Sequence, residues 1–331
     1  MTMEKMEKQK TGLLEVIDLK TYFFTPSAVV KAVDGISFSV NQEETLGLVG
    51  ESGCGKSITC LSILRLVPKP AGRIVHGRIL LGGEDLLAKS EKDMRQIRGK
   101  RISMILQDPM TSLNPVFTIA DQVGTPIRLH QKVRAKSVWE KVREMLGRVD
   151  IPTPEVRMWE YPHQMSGGMR QRIVGAMSLS CQPQLLIADE PTTALDVTIQ
   201  AQFLRLLEGI QSSFGLSMLV VTHDFGIVAR ICDRVAVMYA GKIVESAPVS
   251  DLFNNPIHPY TKALLESLPK MDRKMDKLYS IEGQPPDLGN LPPGCSFAPR
   301  CWKVHDICKK EYPAQHEIGN NHTVSCWNHQ M

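Results

Sequence analysis

Gly50-Glu51-Ser52-Gly53-Cys54-Gly55-Lys56-Ser57 is the stretch on which the fold turns. It fits G-x-x-x-x-G-K-[ST], a loop that binds phosphate between a strand and a helix. With Gly near 7% of residues, a chance match in a chain this long is on the order of one in a hundred. The flanks agree with the loop. Residues 44–49, ETLGLV, end apolar and read as a buried strand. Residues 56–64, KSITCLSIL, read as the helix that follows. Between them the glycines let backbone N–H groups converge on a triphosphate, and the helix N-terminus adds favourable dipole charge. Lys56 can reach the outer phosphates, and the Ser57 hydroxyl can ligate Mg²⁺.

A second strand carries the complementary chemistry. Leu185-Leu186-Ile187-Ala188-Asp189 is four apolar residues closed by a carboxylate. That places Asp189 at the C-terminal edge of a sheet, where α/β folds bind ligands, and there it can support a Mg²⁺ shell. Glu190 follows at once and is the candidate that polarises an attacking water. Three more motifs stand in order: ILQDP around Gln107, MSGGMRQR from Met165 to Arg172, and VVTHD containing His223.

Together these motifs resemble the ATP-binding-cassette (ABC) ATPases over about residues 12–250. The resemblance implies an α/β fold: a P-loop NTPase (RecA-like) cassette with an antiparallel β subdomain and an inserted helical subdomain. In that family the SGG signature of one subunit closes over ATP held by the other, which implicates Ser166, Gly167 and Gly168. Met165 and Met169 depart from the commonest signature. Gln107 is similar to the Q-loop glutamine, with a place near Mg²⁺. Asp196 is similar to the D-loop aspartate, and His223 to the switch histidine that contacts the γ-phosphate. Phe23 resembles the aromatic that stacks on adenine, with Tyr22 as the alternative. The implied cofactors are ATP and Mg²⁺.

Composition is ordinary for a soluble globular protein. The chain has 331 residues, 43% hydrophobic and 22% charged, with a net charge of +4. This is too mild to argue for nucleic acid. No run of about 18 apolar residues suggests a membrane span, and MTMEKMEKQK lacks the apolar core of a signal peptide. Patterning predicts strands across 12–48, a hairpin through Gly82-Gly83, and a strand ending at Gln107. A helix-rich insertion follows at about 108–168, broken by Pro115, Pro126, Pro152 and Pro154. The core then resumes with a helix over 170–181 and another over 197–211, the latter burying Ile199, Phe203, Leu206, Leu207 and Ile210. A hairpin turns at Ala240-Gly241, and Ser250 can cap a short helix beginning at Asp251.

Residues 254–331 read as a small irregular C-terminal domain after a cassette at 12–253. IHPYTKALLESLP and PPGCSFAPRC, with QDPMTSLNP and YPHQMSGGMRQR, resemble the oligopeptide/dipeptide permease ATP-binding subunits, in the branch that carries a cluster. That resemblance implies a peripheral protein on the cytoplasmic face of the membrane. Its partners would be a second ATPase subunit arranged head to tail, two transmembrane permease subunits and, indirectly, a peptide-binding protein. Import of nickel or another small solute is the alternative. A non-transport ABC ATPase is disfavoured: only 128 positions separate Ser57 from Leu185, too few for a long coiled coil, and there is one cassette. The tail holds Cys295, Cys301, Cys308 and Cys326. In an intracellular protein clustered cysteines point to metal or redox chemistry rather than disulfides. Some members of the branch carry a 4Fe–4S cluster there. Zinc, helped by His305, His322 or His329, and free thiols are the other readings.

Overall fold

A computed structural model describes residues 12–107, 112–192, 196–268, 280–319 and 321–329. Parts of QDPMTSLNP, the segment before Asp196, and Pro269 lie outside the described residues.

The strands at the start of the chain form a small antiparallel sheet. β1 (Gly12–Phe24) pairs with β2 (Val29–Asn41) on one side and β4 (Gly72–Leu81) on the other, and β5 (Glu84–Asp85) closes the edge. Gly82 and Gly83 both take positive φ, which turns β4 into β5 as their sequence predicts.

The main sheet has eight strands. β6 (Ile102–Ile105), β7 (Leu185–Asp189), β8 (Ser217–Thr222), β3 (Thr45–Val49) and β9 (Arg234–Tyr239) lie side by side and parallel. β3, β7 and β8 are buried at every position, as strands with both faces covered must be. Antiparallel β10 (Lys242–Pro248) follows β9, and β12 (His322–Val324) and β11 (His316–Gly319) extend the edge. The C-terminal region thus adds two strands to the same sheet.

Helices cover this sheet: α1 (Lys56–Ile63), α2 (Glu91–Ile97), α6 (Gly167–Leu179), α7 (Val197–Phe214) and α8 (Phe225–Ile231). The insertion supplies α3 (Ile119–His130), α4 (Ala135–Arg148) and α5 (Pro154–Arg157). Its Val123, Ile127, Val142 and Leu146 share one core with Ile173 of α6, Leu186 of β7 and Phe203 of α7. Pro126 does not break a helix as its sequence suggests; it sits inside α3. There the Thr125 hydroxyl (2.6 Å) and Arg128 (2.8 Å) both donate to the Asp121 carbonyl. In α7 the buried face includes Leu204, while Leu206 is only partly covered. The short helix α9 runs Val249–Asn254 with Pro248 at its cap, so Ser250 lies inside it rather than before it. α10 (Pro259–Glu266) and α11 (Asp306–Lys310) complete the chain.

Register fixes the relative heights of the site's strands. Val221 of β8 is level with Leu48 of β3 and with Asp189 of β7. The segments after β3, β6, β7 and β8 therefore emerge at one edge, the C-terminal edge of the parallel strands.

Candidate nucleotide-binding site

The phosphate loop leaves β3 through Gly50, whose φ is +156°, and reaches α1 through Gly55, whose φ is +109°. A Cβ on Gly50 would lie 2.1 Å from the Met238 carbonyl oxygen, and one on Gly55 2.1 Å from that of Ala32. Only glycine fits at these close backbone approaches. The Lys56 ammonium lies folded into the loop, donating to the carbonyls of Gly50 (2.7 Å) and Glu51 (3.0 Å).

Ser57 donates from Oγ to Oδ1 of Asp189 at 3.2 Å. Asp189 is buried, and burial raises its pKa; the hydrogen bond from Ser57 opposes that. A buried carboxylate beside a hydroxyl is a donor pair that suits a divalent cation at a phosphate site. Glu190 adopts φ +46°, a left-handed conformation that costs a non-glycine residue roughly 1–3 kcal/mol. Its N–H donates to the Val221 carbonyl at 2.9 Å. The strained turn aims the side chain back over the strand ends. There Oε2 accepts from Nε2 of Gln107 (3.2 Å), and Oε1 lies 3.4 Å from Nδ1 of His223. Two residues from two other strand ends, Gln107 after β6 and His223 after β8, thus converge on the Glu190 carboxylate.

A groove of about 290 Å³ opens beside them. Phe23, Val30, Ala32 and Leu288 form its apolar part, and Ser52, Gly53, Gly55, Lys56, Ser57, Gln107 and Glu190 are at its polar end. Phe23 lines it; Tyr22 instead gives its hydroxyl to Oδ1 of Asp34 at 2.5 Å. Gly50, Glu51 and Cys54 are outside the lining. Cys54 is buried, which pushes its thiol pKa up.

Ser166, Gly167 and Gly168 are not in this groove. Ser166 caps α6, accepting from the Met169 N–H at 3.3 Å, with Gly167 exposed beside it. Asp196 likewise caps α7, accepting from the Ile199 N–H at 2.9 Å.

The tail cysteines are free thiols. They stand near enough for Cys301, Cys308 and Cys326 to act on the ionisation of Cys295, whose pKa burial pushes up to about 11. As the side chains stand, no group of three or more His, Cys, Asp or Glu residues among those described is placed to hold a metal ion. The expectation of a 4Fe–4S cluster on Cys295, Cys301, Cys308 and Cys326, or of zinc there, gains no support from these positions. Cys295 and Cys301 pack against an apolar cluster around Tyr239, Tyr260 and Phe297. His322 bonds Glu245 at 2.8 Å, and His305 bonds Asn328 at 2.6 Å.

Residues 33–193 match the family model of ABC transporters, and residues 244–308 match that of the oligopeptide/dipeptide transporter C-terminal region. The dipeptide transport ATP-binding protein DppD of Bacillus subtilis (strain 168) is 51% identical over 315 residues, 95% of this chain and 94% of that protein. This chain belongs to the ATP-binding subunits of peptide ABC transporters. A probable peptide ABC transporter ATP-binding protein of Sinorhizobium fredii is also 51% identical, over 316 residues, with 95% and 94% of the two chains covered. Among solved structures, cbiO1 of Clostridium perfringens, part of the transporter complex cbiONQ, superposes with a TM-score of 0.64 at 25% identity. The match covers 74% of this chain and 91% of that one. A dimeric ATP-binding cassette bound to ADP and Pi shares the fold with the same TM-score at 20% identity, over 71% and 98% of the chains. As a member of its family the chain is an ATP hydrolase coupled to transport.

Sequence reasoning finds Lys56, Ser57, Gln107, Asp189, Glu190 and His223, and the fold gathers them. It misses Leu288, Arg300 and Tyr260, which reach the phosphate loop from the C-terminal region. Tyr260 and Arg300 lie within IHPYTKALLESLP and PPGCSFAPRC, but nothing in those stretches indicates that they reach the phosphate loop.

Proposed function

We propose that the chain powers the import of di- and oligopeptides from the cytoplasmic face of the membrane, with ATP bound on the phosphate loop and hydrolysed at Glu190. The observation that carries this reading is the convergence of Gln107 and His223 on the two oxygens of Glu190, beside Lys56 and the Ser57–Asp189 pair. Phe23 and Leu288 offer apolar surface to the base. Gly53, Gly55 and the start of α1 present N–H groups to the phosphates. Lys56 exchanges its carbonyl partners for phosphate oxygens. Ser57 and Asp189, with Gln107 alongside, would hold Mg²⁺, which offsets the charge on the phosphates. Glu190 orients water and accepts its proton. Gln107 and His223 set the position of that carboxylate, and His223 can also touch the γ-phosphate.

Ser166, Gly167 and Gly168 then serve a second cassette, across a head-to-tail dimer. The exposure of Ser166 and Gly167 at the N-terminus of α6, away from their own groove, supports this. The Asp196 segment belongs at the same contact. Membrane subunits have a natural seat on the helical insertion. Val116, Phe117, Val156 and Trp159 are each more than half exposed there, around a groove lined by Pro115, Tyr161 and His163. An exposed apolar patch of this kind marks an interaction surface. No helix among the described residues is long and apolar enough to cross a membrane.

The finer reading of the tail is a 4Fe–4S cluster on its four cysteines. Four cysteines in one short tail, the number of thiolates such a cluster needs, motivate it. Anaerobically purified protein should contain about four irons per chain; a chain without iron removes the reading. For cargo, uptake into vesicles carrying the assembled complex is decisive. Labelled dipeptide should accumulate with ATP, and Ni²⁺ should not; the reverse would assign a metal importer.

A further inference from the structure

Glu51, the second residue of the phosphate loop, is an acid in a loop built for a polyanion. A free carboxylate there would repel the triphosphate. Its side chain is instead gripped by the C-terminal region. Arg300 donates from Nη1 to Oε2 at 2.7 Å and from Nη2 to Oε1 at 3.0 Å. The planar fork matches a carboxylate in this two-bond geometry. The Arg300 side chain is only 4% exposed. Its Nε donates to the Glu282 carbonyl (3.0 Å), and Nη1 also reaches the Tyr239 hydroxyl (3.3 Å).

The same region holds the Glu51 backbone. The Glu51 N–H donates to the hydroxyl of Tyr260 at 2.9 Å. Tyr260 is fully buried against Tyr239 and Phe297, with ring centroids 4.6 and 5.3 Å away. The Glu51 carbonyl in turn accepts from Lys56. Contacts therefore run from Arg300 through Glu51 to the lysine of the phosphate loop. Leu288, whose carbonyl accepts from the Lys31 N–H at 3.1 Å, walls the groove alongside.

We propose that Arg300 is a positioning residue for nucleotide binding. It neutralises Glu51 and turns it away, which makes the C-terminal region a working part of the ATP site. The proposal rests on the phosphate-loop reading above.

The test is the affinity of the full-length chain for a fluorescent ATP analogue. Arg300→Ala leaves the Glu51 carboxylate unopposed, and the analogue should bind about tenfold more weakly, equivalent to about 1.4 kcal/mol. Arg300→Lys keeps the charge but loses the fork, and should fall between. The discriminating variant is Arg300→Ala with Glu51→Gln. Removing the charge should restore most of the affinity, whereas a purely structural role for Arg300 would leave the double variant no tighter than the single one. Wild-type affinity in Arg300→Ala, or no recovery in the double variant, overturns the proposal. If Arg300→Ala fails to fold, the comparison is made between Arg300→Lys and Arg300→Lys with Glu51→Gln, with the same two outcomes. Lys56→Ala is measured in parallel. Wild-type affinity there would refute the phosphate-loop reading itself. Loss there together with an unchanged Arg300→Ala would reject the role of Arg300 alone.

Discussion

One methyl group at Gly55 would collide with the backbone of β2. The added Cβ would lie 2.1 Å from the Ala32 carbonyl oxygen, at a φ of +109° that L side chains avoid. At Gly53 the φ is +79°, but a Cβ would meet nothing within 4 Å. Gly53→Ala should therefore lose only about 1 kcal/mol for its backbone conformation. Gly55→Ala adds a clash with backbone and should lose clearly more, on the order of 2–4 kcal/mol. Urea unfolding midpoints of the two variants check the order. Equal losses would mean that the Ala32 contact relaxes freely. This contrast shows what is legible at the residue scale. G-x-x-x-x-G-K-[ST] is local in sequence, so its glycines, Lys56 and Ser57 can be read from eight residues. Arg300 lies 249 positions from the Glu51 it holds. Nothing near Arg300 in the sequence carries that pairing, because only the folded sheet brings the two together.

Elements of the cassette follow their patterns closely where burial is one-sided or complete. β3, β7 and β8 read as apolar runs and are buried throughout. α6 begins three residues before its apolar pattern suggests, since Ser166 caps it; the signature doubles as a helix start. The join between β10 and the tail is less legible, because its key groups are polar and buried. Glu245 accepts from the N–H groups of Ile257 (2.7 Å) and His258 (3.0 Å) and pairs with His322. His258 caps α10, its Nδ1 accepting from the Tyr260 N–H at 3.1 Å, so the ring must be neutral there. Burial lowers its pKa to about 4 from 6.5, with nearby Glu245 opposing. The unfolded chain therefore binds a proton that the folded chain refuses. Stability should fall as pH drops from about 6.5 to about 4, by a few kcal/mol at most, and level off below. His258→Asn keeps a capping acceptor without the titration, and should flatten that part of the profile. Melting temperatures of both proteins across this window check it; parallel profiles would show that His258 does not titrate as described.

At the scale of the molecule, one sheet runs from the phosphate loop to the C-terminal strands. The irregular, proline-rich tail suggests a separate unit by composition, yet Phe297 and Tyr260 share a core with Val49 and Val237 of the parallel strands. Composition reports local irregularity and cannot report a shared sheet edge. The function proposed above puts ATP at the strand ends, the second cassette on the signature and membrane subunits on the helical insertion. The most direct test of this account is ATP turnover by the chain assembled with its membrane subunits in vesicles, measured for wild type and Glu190→Gln. The amide keeps the shape of Glu190 and can still pair with its neighbours, but cannot take the proton from water. Glu190→Gln should bind ATP as wild type does and lose turnover by about 10²-fold or more; wild-type turnover in that variant would contradict the account.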